Sequence, residues 1–132
     1  MANPDLRERR PLSPHLQIYR PRLTMVMSIM HRITGAALYF ATLLAIWWLV
    51  ALASGPAYFS FVDGLLGSWL GLAVLVAALY ALFHHMLGGI RHLIWDNAQA
   101  LSIASANRMN LLSLAVSAAL TVLVIIAAIA AN

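Results

Sequence analysis

The 132-residue sequence has no cysteine, no lysine and only four acidic residues, and charged side chains make up just 9% of it. Without cysteine the chain offers no disulfide, no thiolate metal site, no cluster ligation and no cysteine nucleophile. A soluble domain carries about 25% charged residues. Here the hydrophobic share is 63% and the mean hydropathy is +0.86, which leaves too little polar surface to wrap a globule in water. A soluble enzyme is excluded, and the length allows one domain. All eight basic residues are arginine, for a net charge of +4, and six of them lie within the first 32 residues, just ahead of an apolar run. That placement reads as a topology signal for membrane insertion rather than a nucleic-acid surface.

Residues 1–29 are polar and punctuated by Pro4, Pro11, Pro14 and Pro21. Proline fixes φ and pushes the residue before it out of the α region, so an extended arm with at most one helical turn is expected. The arm is not a secretory signal peptide, because no A-x-A-like site ends a short apolar region. Three apolar stretches follow, with spans expected at about 30–53, 63–93 and 109–131. Each reaches the roughly 20 residues that a hydrocarbon core of about 30 Å requires. Ser54-Gly55-Pro56 breaks the first from the second, Tyr58, Phe59 and Phe61 suit an interfacial belt, and a polar connection runs from Asn97 to Arg108. The fold class is therefore all-α, a three-helix integral membrane protein with an N-terminal arm. Arginines crowd the arm and the second connection, whereas the 54–63 loop has only Asp63. By the positive-inside rule the N-terminus is cytoplasmic and the C-terminus lies across the membrane.

Two clusters could carry chemistry. Near the end of the second span stand His84, His85 and His92, with Gly88 and Gly89 between them. Imidazoles at membrane depth usually face a protein interior, where they meet an ion, a relay or a cofactor. His85 lies 11 residues before Asp96, roughly 16 Å deep at 1.5 Å per residue. Helical spacing puts His85, His92 and Asp96 on one face, and sets His84 about 100° away in line with Gly88, Arg91 and Trp95. Missing side chains at the glycines let a flat macrocycle or another backbone come close. Zinc is disfavoured, since no cysteine or carboxylate lies at that depth. A b-type haem needs imidazoles from facing helices, so His85 and His92 cannot bind one iron together. A hydrogen bond to a neighbouring helix is the alternative role for His85. At the start of the first span, Ser28, His31 and Arg32 share a face with Gly35 one turn on. A serine and a guanidinium can donate to a quinone carbonyl, and an arginine fork suits a propionate. Arginine at a span entrance also serves as a snorkelling anchor. In the third span, Ser113, Ser117 and Thr121 form a small-residue stripe of the kind that packs membrane helices.

Three segments, RPLSPHLQIY (Arg10 to Tyr19), SIMHRITG (Ser28 to Gly35) and HHMLGGIRHLIWD (His84 to Asp96), occur in the order and spacing of a known family. Together they resemble the cytochrome b large membrane-anchor subunit of succinate dehydrogenase, respiratory complex II, and its mitochondrial and alphaproteobacterial branch in particular. The resemblance covers the whole chain. It implies haem b with His85, four residues before the glycine of GIRH, as axial iron ligand; His84 beside it is a second candidate imidazole. The other ligand would come from the small anchor subunit. The resemblance further implies ubiquinone binding at Ser28, Arg32 and Asp96, and a haem-propionate network of His31, Arg91 and His92. An iron–sulfur subunit, docked by arm residues 1–29, and a flavoprotein that oxidises succinate would complete the complex in a bacterial inner membrane. The C-terminus would then be periplasmic. This chain has no flavin motif or cluster cysteines and is not an enzyme alone. Two rivals are a quinol:fumarate reductase anchor of the same architecture and a non-redox membrane assembly protein whose histidines only pack.

Overall fold

The computed structural model describes residues 19–131, all of whose regular structure is helical. Helix α1 spans Leu23–Ser54, α2 Pro56–Leu66, α3 Trp69–Asp96 and α4 Ile103–Ala130. Three of these, α1, α3 and α4, are long and apolar enough to cross a membrane, as the composition requires. Of the arm expected to dock a partner, residues 1–29, the first 18 lie outside the described residues.

The boundaries differ from the sequence expectation in four places. Arg22 is extended (φ −80°, ψ 154°) and α1 begins directly after it, so residues 23–29 belong to the helix and not to the arm. That stretch has no proline, glycine or charge to stop the helix. At 32 residues, α1 is about 48 Å long, well beyond a hydrocarbon core of about 30 Å. The segment expected as a loop at 54–63 is mostly α2. Gly55 turns the chain at φ 114° and Pro56 opens the new helix, a position where its missing N–H does no harm. The Trp47 indole donates to the Tyr58 hydroxyl at 2.9 Å, and Trp48 donates to the Asp63 carboxylate at 3.2 Å. These bonds fold α2 back onto the end of α1, with Val62 fully buried. The second span accordingly starts at Trp69 rather than near residue 63, where the Ser68 hydroxyl accepts from the Gly71 N–H at 3.2 Å. The third starts six residues early, where Ser102 caps Ser105 in the same way at 3.2 Å. The connection between α3 and α4 shrinks to residues 97–102 and turns through Ala98 and Ala100, both at positive φ.

Helix α3 packs against α1 on one side and α4 on the other, and α1 also meets α4. The burial pattern is inverted relative to a soluble bundle. Large apolar side chains cover the outside, whereas Thr34, His84, Arg91, Asn110, Ser113, Ser117 and Thr121 are buried between helices. Lipid tails are as apolar as leucine, so close contact through small residues and internal polar bonds takes over from hydrophobic burial. The Ser113, Ser117 and Thr121 hydroxyls each donate to the carbonyl four residues earlier. The stripe is a packing surface, as its spacing suggested.

Candidate functional site

The site is built where α1 and α3 come closest. Its core is an exchange of two imidazoles for two missing side chains. A Cβ on Gly35 would lie 2.9 Å from Cε1 of His85, and one on Gly88 would collide with Nδ1 of His31. Each histidine thus occupies the space vacated by a glycine on the opposite helix. Their rings stack at 4.0 Å between centroids, 3° from parallel. His92, one turn beyond Gly88, lies 5.3 Å from His31 at a tilt and meets Trp95 edge-on at 5.3 Å.

His85 Nδ1 lies 3.0 Å from the backbone carbonyl of His31. A carbonyl only accepts, so Nδ1 must carry the proton and Nε2 the lone pair. Nε2 has no hydrogen-bond partner among the described residues and is not enclosed. The neighbouring His84 is different. It is 0% exposed, neither ring nitrogen has a partner, and its ring stacks on Tyr80 at 5.8 Å. His85 is thus partly exposed, whereas His84 is enclosed.

Arg91, expected beside His31 and His92, makes its contacts elsewhere. It is 3% exposed, donates through Nη1 to the Asn110 side-chain carbonyl on α4, and lies 5.0 Å over the Trp95 ring. The reason is angular: Arg91 falls in line with His84 and Trp95, about 100° from the His85–His92 line. Ser28 is half-buried beside a depression of about 370 Å³ lined by Tyr19, Pro21, Thr24, Met25 and Ile29. Arg32, one turn on, is exposed, and Asp96 is exposed at the end of α3. Arg32 and Asp96 form no ion pair among the described residues, and neither lines the depression beside Ser28.

Residues 6–125 match the family described as succinate dehydrogenase/fumarate reductase transmembrane subunit. The succinate dehydrogenase cytochrome b556 subunit of Paracoccus denitrificans is 44% identical over 120 residues, covering 91% of this chain and 92% of the relative. The chain belongs to this transmembrane-subunit family. The cytochrome b556 subunit of Rickettsia felis is 39% identical, covering 78% of this chain and 80% of its own length. The cytochrome b560 subunit of Marchantia polymorpha is 37% identical and covers 89% of each chain.

Seen as a transmembrane subunit, the chain also contains residues to which the sequence attached no role. Thr34 is buried and sits 3.5 Å from His85 Nδ1. Asn110 is 0% exposed and receives Arg91. A lone asparagine just inside an apolar run was the available signal, since such a side chain in lipid needs an internal partner.

Proposed function

We propose that this chain is the membrane-anchor cytochrome b subunit of a succinate:ubiquinone oxidoreductase, with His85 as an axial ligand of haem b. The observation that carries the reading is the His85 imidazole, with Nδ1–H held on a carbonyl and Nε2 left accessible. Among the described residues no group of three or more His, Cys, Asp or Glu side chains could hold a metal ion. A single presented imidazole therefore fits a group that brings its own equatorial nitrogens and asks the protein for axial ligands alone. When bound, haem supplies a one-electron redox centre.

The remaining assignments follow from the same reading. Haem b would be held by His85 together with a ligand from the small anchor subunit, and His31 and His92 would bind its propionates. Arg91 works from behind, through α3 and α4. Ser28, Arg32 and Asp96 serve ubiquinone at the cytoplasmic rim, where its reduction consumes two electrons and two protons. Arg32 donates to the carbonyl oxygen as negative charge grows on it, and a carboxylate at the rim passes protons from water. Succinate is oxidised in the flavoprotein, and electrons arrive through the iron–sulfur subunit that rests on the arm. The N-terminus is cytoplasmic and the C-terminus periplasmic.

The test is a reduced-minus-oxidised spectrum of the purified membrane complex. His85→Ala removes the low-spin b-type bands and His84→Ala keeps them. Bands that survive His85→Ala but vanish with His84→Ala would move the ligand by one residue; bands absent from the unaltered complex would refute the cytochrome reading.

A further inference from the structure

Helix carbonyls in the middle of a span are ordinarily occupied by the amide four residues on and shielded by its side chain. The carbonyl of His31 departs from this. The residue four positions later is Gly35, and the absent Cβ is what lets the His85 ring come within 3.0 Å of that oxygen. Thr34 stands beside it. Its hydroxyl proton is directed to the carbonyls of Met30 and His31 at 2.9 and 3.0 Å. Only a lone pair of the hydroxyl is then turned to His85 Nδ1, 3.5 Å away. Two acceptors and no donor meet Nδ1.

We propose that Gly35 and Thr34 are positioning residues for His85: Gly35 opens the His31 carbonyl and Thr34 adds a second acceptor. Together they fix the imidazole in the Nδ1–H tautomer and make Nε2 a stronger donor to the iron. This rests on the reading of His85 as haem ligand. A hydrogen bond from the remote nitrogen of a ligating imidazole makes it a stronger donor to the metal, and a stronger donor favours the ferric state. Backbone and side chain divide the work. The carbonyl cannot be mutated away, but its accessibility is encoded at Gly35.

The experiment uses the assembled complex purified in detergent, with three readings: haem content, midpoint potential, and the g-values of the ferric haem. Gly35→Ala is expected to shift the midpoint upward and change the g-values, because a Cβ 2.9 Å from His85 Cε1 pushes the ring off the carbonyl. Weakening of the helix cannot account for that, since alanine is the better helix former. Thr34→Val, which keeps the volume and removes the second acceptor, moves the same readings by less, and Thr34→Ser returns them to the unaltered values. His85→Ala is run beside them. Loss of haem in His85→Ala together with unchanged potential and g-values in Gly35→Ala overturns the positioning role and leaves the ligand assignment standing. Haem retained in His85→Ala overturns the ligand assignment and the positioning role with it. If Gly35→Ala does not assemble, the threonine pair decides: a shift in Thr34→Val that Thr34→Ser reverses supports the proposal, and no shift overturns it.

Discussion

The imidazoles of His31 and His85 lie face to face, 4.0 Å apart and 3° from parallel, each seated over a glycine of the other's helix. One relationship thus joins the two sequence clusters that looked separate along the chain. Stacked aromatic pairs contribute about 0.5–1.5 kcal/mol, so His31→Ala should loosen a group held by His85 about two- to tenfold. The His31 carbonyl survives the substitution, and haem should bind but escape faster. The rate of haem loss in detergent, compared with that of His31→Phe, measures this. An unchanged rate in His31→Ala would remove the stack from the account.

Gly88→Ala inserts a methyl group where His31 Nδ1 now sits. Overpacking of this kind costs about 1–3 kcal/mol, and the thermal midpoint of the complex should fall. Combining it with His31→Ala should recover most of the loss, because the two residues share one space and their effects are coupled. Additive losses in the double variant would mean that the clash lies elsewhere.

Asn110 accepts from a guanidinium buried at membrane depth. A hydrogen bond to a charged group contributes about 1.5–3 kcal/mol, and Asn110→Leu should lower the thermal midpoint accordingly. Asn110→Asp retains an acceptor at the same place and should be tolerated far better. A stable Asn110→Leu complex would show that Arg91 finds another partner.

At the proposed quinone site, Arg32→Leu should cut ubiquinone reduction by about tenfold or more, the loss expected for one charge-assisted bond. Ser28→Ala should lower it less. Succinate oxidation with a soluble artificial acceptor should persist in both, since the proposed function assigns that step to the flavoprotein and iron–sulfur subunit. The ratio of the two activities at equal complex content is the measurement. Arg32→Lys should rescue poorly, because a point charge does not reproduce a planar fork. A parallel fall in both activities would make Arg32 an assembly residue.

The three-span architecture was legible because a run of uncharged residues is a nearly sufficient signal in a membrane. The helix ends were less legible. Charge marked where the chain leaves the hydrocarbon, whereas α1 and α4 continue past it until Arg22 and Ser102 end them. Helix α2 escaped because Gly55-Pro56 reads as a break from either direction, and only the Trp47–Tyr58 and Trp48–Asp63 bonds reveal the helix beyond it. The single-helix geometry of α3 correctly separated His84 from His85. The pairing of His31 with His85 was not legible, since it depends on the closeness of two helices far apart in sequence. The bond from Arg91 to Asn110 was hidden for the same reason, since it too joins two helices.

The hydroxyls of Ser113, Ser117 and Thr121 are all turned back on their own helix, leaving α4 a smooth rail of small side chains. Among the described residues, the Arg91–Asn110 bond is the side-chain hydrogen bond that joins α4 to another helix. A rail fixes spacing and angle but not position along its length. The axial register of α4 therefore hangs on a latch near its Ile103 end, whereas toward its far end Val124, Ile125 and Ile129 face α3 across an apolar depression. Small axial slips and splaying should concentrate at that end, leaving the histidine cluster undisturbed while the opposite face of the membrane adapts to bilayers of different thickness.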